Sequence, residues 1–342
     1  MRKILGTNDD AWDRWVRELP ESKRDIYYMS DYYRLHELNG EGEACLFVYE
    51  TGGGVGIYPF MKKRIRGYPL EGEYYDIQTA YGYGGPTATS ESRSFWEGFE
   101  SAFLDYAKSS AIVAEFVRFH PLLRNHGGFI EQIQVEKNRT TVVIDVREEE
   151  DAIFARQVDG RGRRAIRKAY KASPRVSYDY DVDVFSKLYE STMRDNNASE
   201  YYYFSSEYFA HLGKIKGFNV VNVILDEQVA ASGIFIGHGM YCHYHLYGRD
   251  KAFSGVCVGH NTIWEAVKIA RGKGYSFLHL GGGRTNEPSD SLFVFKKQFS
   301  RDFRDFYIGK RVLNEKVYSY LIEEWRRRTG ASSAIFLAYN GM

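Results

Sequence analysis

The chain has 342 residues, 44% of them apolar and 16% aromatic, and its 46 Lys and Arg nearly cancel its 45 Asp and Glu to leave a formal charge of +1. That balance excludes a globally basic nucleic-acid wrapper and a highly charged disordered chain, while the length has room for two domains with sizeable cores. Three cysteines (Cys45, Cys242, Cys257) cannot build a disulfide framework and fit a reducing cytosol. No uncharged apolar run approaches the ~18–20 residues of a membrane span, and residues 1–12 lack the apolar stretch of a secretory signal. The 28 tyrosines pair apolar area with a hydroxyl, which suits half-buried surfaces or a substrate groove.

In chain order, residues 44–50 and 55–60 alternate around Gly52–Gly54 and predict a hairpin. The run Tyr81-Gly82-Tyr83-Gly84-Gly85-Pro86 breaks the chain. A helix is expected over residues 92–109, from Phe95, Phe99, Ala102, Phe103 and Tyr106, and a strand over 112–119. Residues 129–135 and 140–146 read as a further strand pair. The second half repeats the plan, with a hairpin at 220–225 and 229–236, a strand at 241–247 ending in Tyr247-Gly248, and a helix over 260–273 that Gly274 ends. A strand at 277–280 then stops at Gly281-Gly282-Gly283. This recurrence predicts a duplicated α/β unit.

Between the halves, Arg164, Arg167, Lys168 and Lys171 fall at i, i+3, i+4 and i+7, with Ile166, Ala169 and Tyr170 on another face. Pro174 ends this amphipathic helix. From Arg156 to Arg175 eight cations face one acid, Asp159, a local charge of +7. A stripe without acidic partners at i±4 repels itself, so it suits phosphates of a nucleotide, tRNA or coenzyme A; a solvated linker helix is the plain alternative.

Other constellations are weaker. Gly255-Val256-Cys257-Val258-Gly259 has nucleophile-elbow spacing but does not follow a strand directly, so a packed, inert cysteine is expected. His238, Cys242, His243 and His245 share a hairpin; His243 and His245 share a face and Cys242 points away, so no metal site is assigned. The glycine clusters give neither a dinucleotide fingerprint nor a P-loop, and no G-x-S-x-G occurs. Lys296, set in the apolar run Leu292, Phe293, Phe295, either faces a cleft and stabilises an oxyanion or phosphate, or snorkels to the surface.

Three collinear stretches carry a resemblance. Tyr75-Asp76-Ile77-Gln78-Thr79-Ala80-Tyr81-Gly82-Tyr83-Gly84-Gly85-Pro86 resembles the first-domain signature of the Fem family of aminoacyl-tRNA-dependent transferases that build peptidoglycan cross-bridges. Arg163-Arg164-Ala165-Ile166-Arg167-Lys168-Ala169 resembles its inter-domain basic helix. Gly274-Tyr275, Leu278-His279-Leu280-Gly281-Gly282-Gly283 and Ser291 to Phe299 resemble its C-terminal signature. The resemblance covers roughly residues 45–325 and implies an α/β fold with mixed sheets, two tandem GNAT-like acyltransferase domains packed around a central cleft. It is to the short members, because residues 174–217 hold only two ordinary helices in place of the helical-hairpin insertion. Arg249-Asp250-Lys251-Ala252-Phe253-Ser254-Gly255 departs from the usual pyrophosphate loop of acetyl-CoA enzymes.

The domains expected are 1–158, a basic helix at 159–175, a catalytic second domain at 176–330 and a tail at 331–342. The resemblance implies Lys296 and Phe295 as the catalytic pair and Arg194 as a holder of the acceptor's diphosphate. Tyr81, Tyr83, Gly84 and Gly85 are expected to line the acceptor groove. Arg164, Arg167, Lys168 and Lys171 are expected at phosphates, with Gly282 and Gly283 beside the substrate. The expected function is transfer of an acyl or aminoacyl group onto an amine of a nucleotide- or lipid-linked cell-envelope precursor. The donor is aminoacyl-tRNA or acyl-CoA, with no tightly bound cofactor, no metal and no DNA. The setting is cytoplasmic, with no transmembrane segment and a peripheral position at the inner membrane admitted. The alternatives are an acyl-CoA-dependent N-acyltransferase acting on a nucleotide-linked amino sugar and a non-catalytic binding module.

Overall fold

The computed structural model describes residues 1–127 and 133–341. The chain forms two units. One comprises Met1–Lys23, Tyr27–Asn138 and Phe306–Met342, the other Arg24–Ile26 and Arg139–Asp305.

The first unit opens with β1 (Arg2–Leu5), α1 (Ala11–Glu18) and α2 (Ser30–Leu38), then the hairpin β2 (Glu43–Thr51) and β3 (Gly54–Arg64). β4 (Tyr75–Gln78), a short β5 (Thr87–Ala88), α3 (Arg93–Ser109) and β6 (Ile112–Arg118) follow. β1 to β4 form an antiparallel succession, and β6 joins β4 in parallel. The apolar positions of α3 lie at helical spacing, so Phe95, Phe99 and Phe103 bury together against Phe47, Tyr58 and Phe60 of the hairpin. A glycine is required beneath them: a Cβ on Gly56 would lie 2.7 Å from the Phe99 ring.

β7 (Gln134–Asp145) leads into α4 (Glu150–Arg156), α5 (Gly160–Lys171), β8 (Arg175–Ser177), α6 (Val182–Asp195) and α7 (Ser206–Leu212). β9 (Phe218–Leu225), β10 (Gln228–His238), β11 (Tyr241–Arg249), α8 (Val258–Gly272), β12 (Phe277–Gly282) and α9 (Ser291–Lys296) complete the second unit. β8 to β11 run antiparallel in succession, β12 joins β11 in parallel, and the C-terminal half of β7 lies antiparallel to β12. The second unit thus repeats the first: a strand, two helices, three antiparallel strands, a helix, and a strand parallel to the last of the three. Its core gathers Val221, Val223, Phe235, Ile263, Val267 and Leu278 among others.

The register of β10 on β11 shifts at one place, where Ile234 faces Leu246 but Phe235 faces Tyr244. This bulge at His245 resets the two-residue alternation, so Tyr244 and Tyr247 both pack against the core that α8 covers.

β13 (Asp302–Val312) and α10 (Glu315–Thr329) end the chain. Ile308–Val312 pairs antiparallel with β6, and that pairing returns residues 306–342 to the first unit. The tail, given no role in the sequence, buries Tyr339, whose hydroxyl donates to Asp76 Oδ1 over 2.9 Å. Residues 139–158 join the second unit because β7 pairs with β12 there. The division expected at 158 therefore differs from the contact units at both ends of the second unit. Of the strand pair expected at 129–135 and 140–146, residues 129–132 lie outside the described residues. The remainder is one continuous strand, β7. Residues 174–217 hold two ordinary helices, α6 and α7, as expected. Among the described residues, no helix is long and apolar enough to cross a membrane.

Candidate active site

β12 ends at Gly281–Gly283, and the chain turns back to place α9 across its end. Asp290 makes the turn. Its Oδ1 accepts the Leu292 and Phe293 N–H groups at 2.9 and 3.0 Å, and its Oδ2 accepts those of Arg284 and Thr285, both at 3.1 Å. Four such bonds favour the ionised carboxylate, so its pKa falls although burial opposes it. Gly283 packs so closely on Asp290 that a Cβ would lie 2.4 Å from Oδ1.

That turn carries Lys296 into the protein, where it is only 5% exposed. Its Nζ donates to the Gly282 carbonyl over 2.8 Å and lies 5.3 Å from the centre of the Tyr244 ring. Burial strips water from the ammonium, and the neighbouring Arg139 repels it; Asp290 opposes both, and the net result is a pKa lowered to about 7. Arg139 is fixed beside it by donating to the Gly283 and Arg284 carbonyls at 2.6 and 3.2 Å. Lys296 is therefore not a snorkelling surface lysine. It is a buried amine poised between its charged and neutral forms.

The surrounding walls belong to the same unit. A Cβ on Gly259, in the first turn of α8, would lie 3.1 Å from Tyr247 Oη and 3.4 Å from the Phe295 ring. Tyr247 Oη and both polar side-chain atoms of Asn261 are buried with no hydrogen-bond partner among the described residues. Burial pushes the Tyr247 pKa up, so its hydroxyl stays protonated. His260 packs edge-on against Phe295, with ring centres 4.8 Å apart, and its Nε2 lies 3.2 Å from Gln298 Oε1. Burial holds its pKa below the usual histidine range. An imidazole, a phenol and a buried amine thus lie around Phe295 and Tyr244.

Residues 156–290 match the family model described as the acetyltransferase (GNAT) domain. The second unit is a GNAT acyltransferase domain. FemX shares the fold at a TM-score of 0.68 and 14% identity, over 93% of this chain and 99% of that one. The C-terminal domain of a putative lysylphosphatidylglycerol synthetase from Agrobacterium fabrum shares it at 0.54 and 12%, over 95% and 98%. A conserved protein of unknown function from Bacteroides thetaiotaomicron does so at 0.55 and 8%, over 91% and 100%. No curated protein matches by sequence. The chain is an acyltransferase with a tandem GNAT-like fold, as the duplicated topology and the resemblance led one to expect.

The acyltransferase holds its sequence-predicted residues in several places. Phe295, Lys296, Gly282 and Gly283 come together as described. Arg164, Arg167, Lys168 and Lys171 are exposed along α5, and none makes an ion pair among the described residues. Asp159 caps that helix by accepting the Gly162 N–H at 2.7 Å. Opposite the stripe, Ile166 and Ala169 are buried, and the Tyr170 hydroxyl bonds Glu265 of α8. Arg194, in the last turn of α6, is exposed and lies 3.6 Å from Glu190. In the first unit Tyr81 and Tyr83 are half-buried, while Gly84 and Gly85 are buried. The Asn125 amide donates to the Gly84 and Pro86 carbonyls at 2.8 and 3.0 Å, so this glycine run is packed from behind.

Cys257 differs from the packed thiol expected. It is partly exposed and adopts φ 63°, ψ 32° just ahead of α8. The histidines of the hairpin separate: His243 Nε2 bonds Asp25 at 2.7 Å, whereas His245 Nε2 lies 2.9 Å from Tyr208 Oη. Sequence reasoning missed Arg139, Asp290, Tyr244, Tyr247 and Asn261. Only the tyrosines had a signal, in the run YCHYHLY, and the bulge that unites them is invisible to a strict two-residue alternation.

Proposed function

We propose that the chain transfers an acyl or aminoacyl group from an ester or thioester donor to an amine of a nucleotide- or lipid-linked cell-envelope precursor, on the cytoplasmic side of the membrane. The observation that carries this reading is Lys296: a buried amine held by one carbonyl bond, with a pKa lowered to about 7. The amine nitrogen attacks the donor carbonyl, the C–N bond forms, and the C–O or C–S bond then breaks to release the tRNA ribose hydroxyl or a thiol. As the ammonium, Lys296 donates to the tetrahedral oxyanion in a site with little water, where such a bond is strongest. The attack is direct, and no enzyme nucleophile is required. Arg194 and the α5 stripe would bind phosphates of acceptor and donor, and Tyr81 and Tyr83 would line the acceptor's path. FemX and the lysylphosphatidylglycerol synthetase domain share the fold, which supports an aminoacyl donor.

A second reading, an acyl-CoA thioester donor and a nucleotide-linked amino sugar as acceptor, is favoured by the GNAT acetyltransferase match. A thermal-shift panel separates the two. A shift with UDP-linked muropeptide that Arg194→Ala abolishes supports the envelope-precursor reading; a shift with coenzyme A alone supports the second. Lys296→Met should lower turnover at least tenfold in a folded protein. Wild-type turnover in that variant would remove Lys296 from the mechanism.

A further inference from the structure

In the first unit, where β3 ends and β4 begins, lies a cavity of about 320 Å³. This is the opposite end of β4 from the Tyr81–Gly85 run. Lys63, Arg64 and Arg66 line the cavity, together with Tyr339 and Asn340 from the chain's last turn. Gly40 and Gly42 complete the wall, and among the described residues no carboxylate side chain lines it. Gly42, at φ +132°, is forced: a Cβ there would lie 2.5 Å from the Lys62 carbonyl oxygen. The bare backbone of the loop after α2 therefore stands directly against the cationic strand end.

The charges in this cavity are only partly balanced. Arg64 pairs with Glu73 at 2.8 Å. Neither Lys63 nor Arg66 makes an ion pair among the described residues. Asp76, opposite Lys63 in the strand register and in reach of its charge, is committed elsewhere: its two oxygens accept the Tyr339 hydroxyl and the Asn340 amide, both at 2.9 Å. Cations lining one hollow without a full complement of acids repel each other unless an anion enters. A carboxylate brings one charge, whereas a phosphate monoester brings about −1.5 to −2 with three acceptor oxygens. The Arg66 fork and the Lys63 ammonium supply donors of the kind phosphate recognition uses. The volume lies at the small end of ligand pockets, about right for a compact phosphorylated molecule.

We propose that this cavity is a binding site for a small ligand carrying a dianionic phosphate or a diphosphate. It is separate from Lys296 and its loop and plays no part in the chemistry proposed above.

Inorganic pyrophosphate is the probe. The full chain is treated with acetic anhydride with and without saturating pyrophosphate at constant ionic strength, and acetylation of each lysine is read by peptide mass spectrometry. Pyrophosphate should slow labelling of Lys63 at least threefold in the native chain and leave it unchanged in Arg66→Gln; Arg66→Lys should restore part of the protection. Lys168 and Lys171 on α5 report any binding at the stripe separately. Equal labelling of Lys63 with and without pyrophosphate overturns the proposal, as does protection that survives Arg66→Gln. Protection by phosphatidylglycerol vesicles but not by pyrophosphate also overturns it, because the cations would then answer a membrane surface.

Discussion

The helices α3 and α8 hold the same place in the two units and begin in opposite ways. α3 starts conventionally: Ser92 is extended and its Oγ accepts the Phe95 N–H at 3.2 Å. α8 starts from a left-handed cysteine with no side-chain cap, and one turn later buries the Asn261 side chain with no partner among the described residues. Buried titratable groups show the same contrast. Asp76 in β4 is closed in by Tyr339 and Asn340, whereas Lys296 has one carbonyl and an aromatic face. A buried polar group without a partner costs about 1–3 kcal/mol. Such atoms occur in both units; what sets the second apart is the buried, displaced amine of Lys296, and perturbed groups of that kind cluster where chemistry is done.

The sharpest way to break this comparison is to titrate stability. Lys296 has a folded pKa of about 7, far below the ordinary lysine value. Between pH 7 and 10 the unfolded chain holds a proton that the folded chain has lost, so this group makes stability rise with pH, by on the order of 4 kcal/mol in all. Lys296→Met should remove that rise and increase the melting temperature at pH 7 while turnover falls. Asp76 runs the other way. Burial raises its pKa to about 7 against the bonds from Asn340 and Tyr339, so its contribution is complete near pH 4 and is lost as pH climbs to 7. Asp76→Asn should flatten that acid-side slope and leave turnover unchanged. Melting curves from pH 4 to 10 decide both; identical pH profiles in Lys296→Met and the native chain would show that the amine is ordinary.

A smaller effect is expected at the α5 stripe. Changing Arg164, Arg167, Lys168 and Lys171 together to Gln should weaken low-salt binding of bulk tRNA about tenfold or more and flatten its salt dependence, since each lost phosphate contact removes released counterions. Fold should be unaffected, because Ile166, Ala169 and the Tyr170–Glu265 bond anchor the opposite face. An unchanged salt slope would make the stripe a solvated face.

What the sequence made legible follows from how local each signal is. The hairpins, α3, α8 and the stripe are set by periodicities within a few turns, and all appear close to their expected places. The course of β13 was not legible, because pairing Ile308 with Arg118 joins residues far apart in sequence. Within the site, Lys296 was legible as a cation in an apolar run. Its altered proton affinity was not, because that depends first on its burial in the folded unit and then on Arg139, a residue on β7 with no local mark. Tyr247 escaped for a related reason: one bulged residue, His245, reverses the face that alternation assigns.

The least of the expected effects returns to the helix starts. Ser92→Ala removes an ordinary cap and should cost about 1 kcal/mol, with no change in turnover. Cys257→Gly should do the reverse. At φ 63° a Cβ is disfavoured by about 1 kcal/mol, so glycine relieves the strain, although its own flexibility in the unfolded chain offsets part of the gain. A rise of a few degrees in melting temperature with native turnover would assign the left-handed turn to the packing of α8 and leave the thiol without a task. A rise with turnover lost would mean that the strained turn exists to present sulfur, and the direct attack proposed for this acyltransferase would have to give way to a route through an acyl-cysteine.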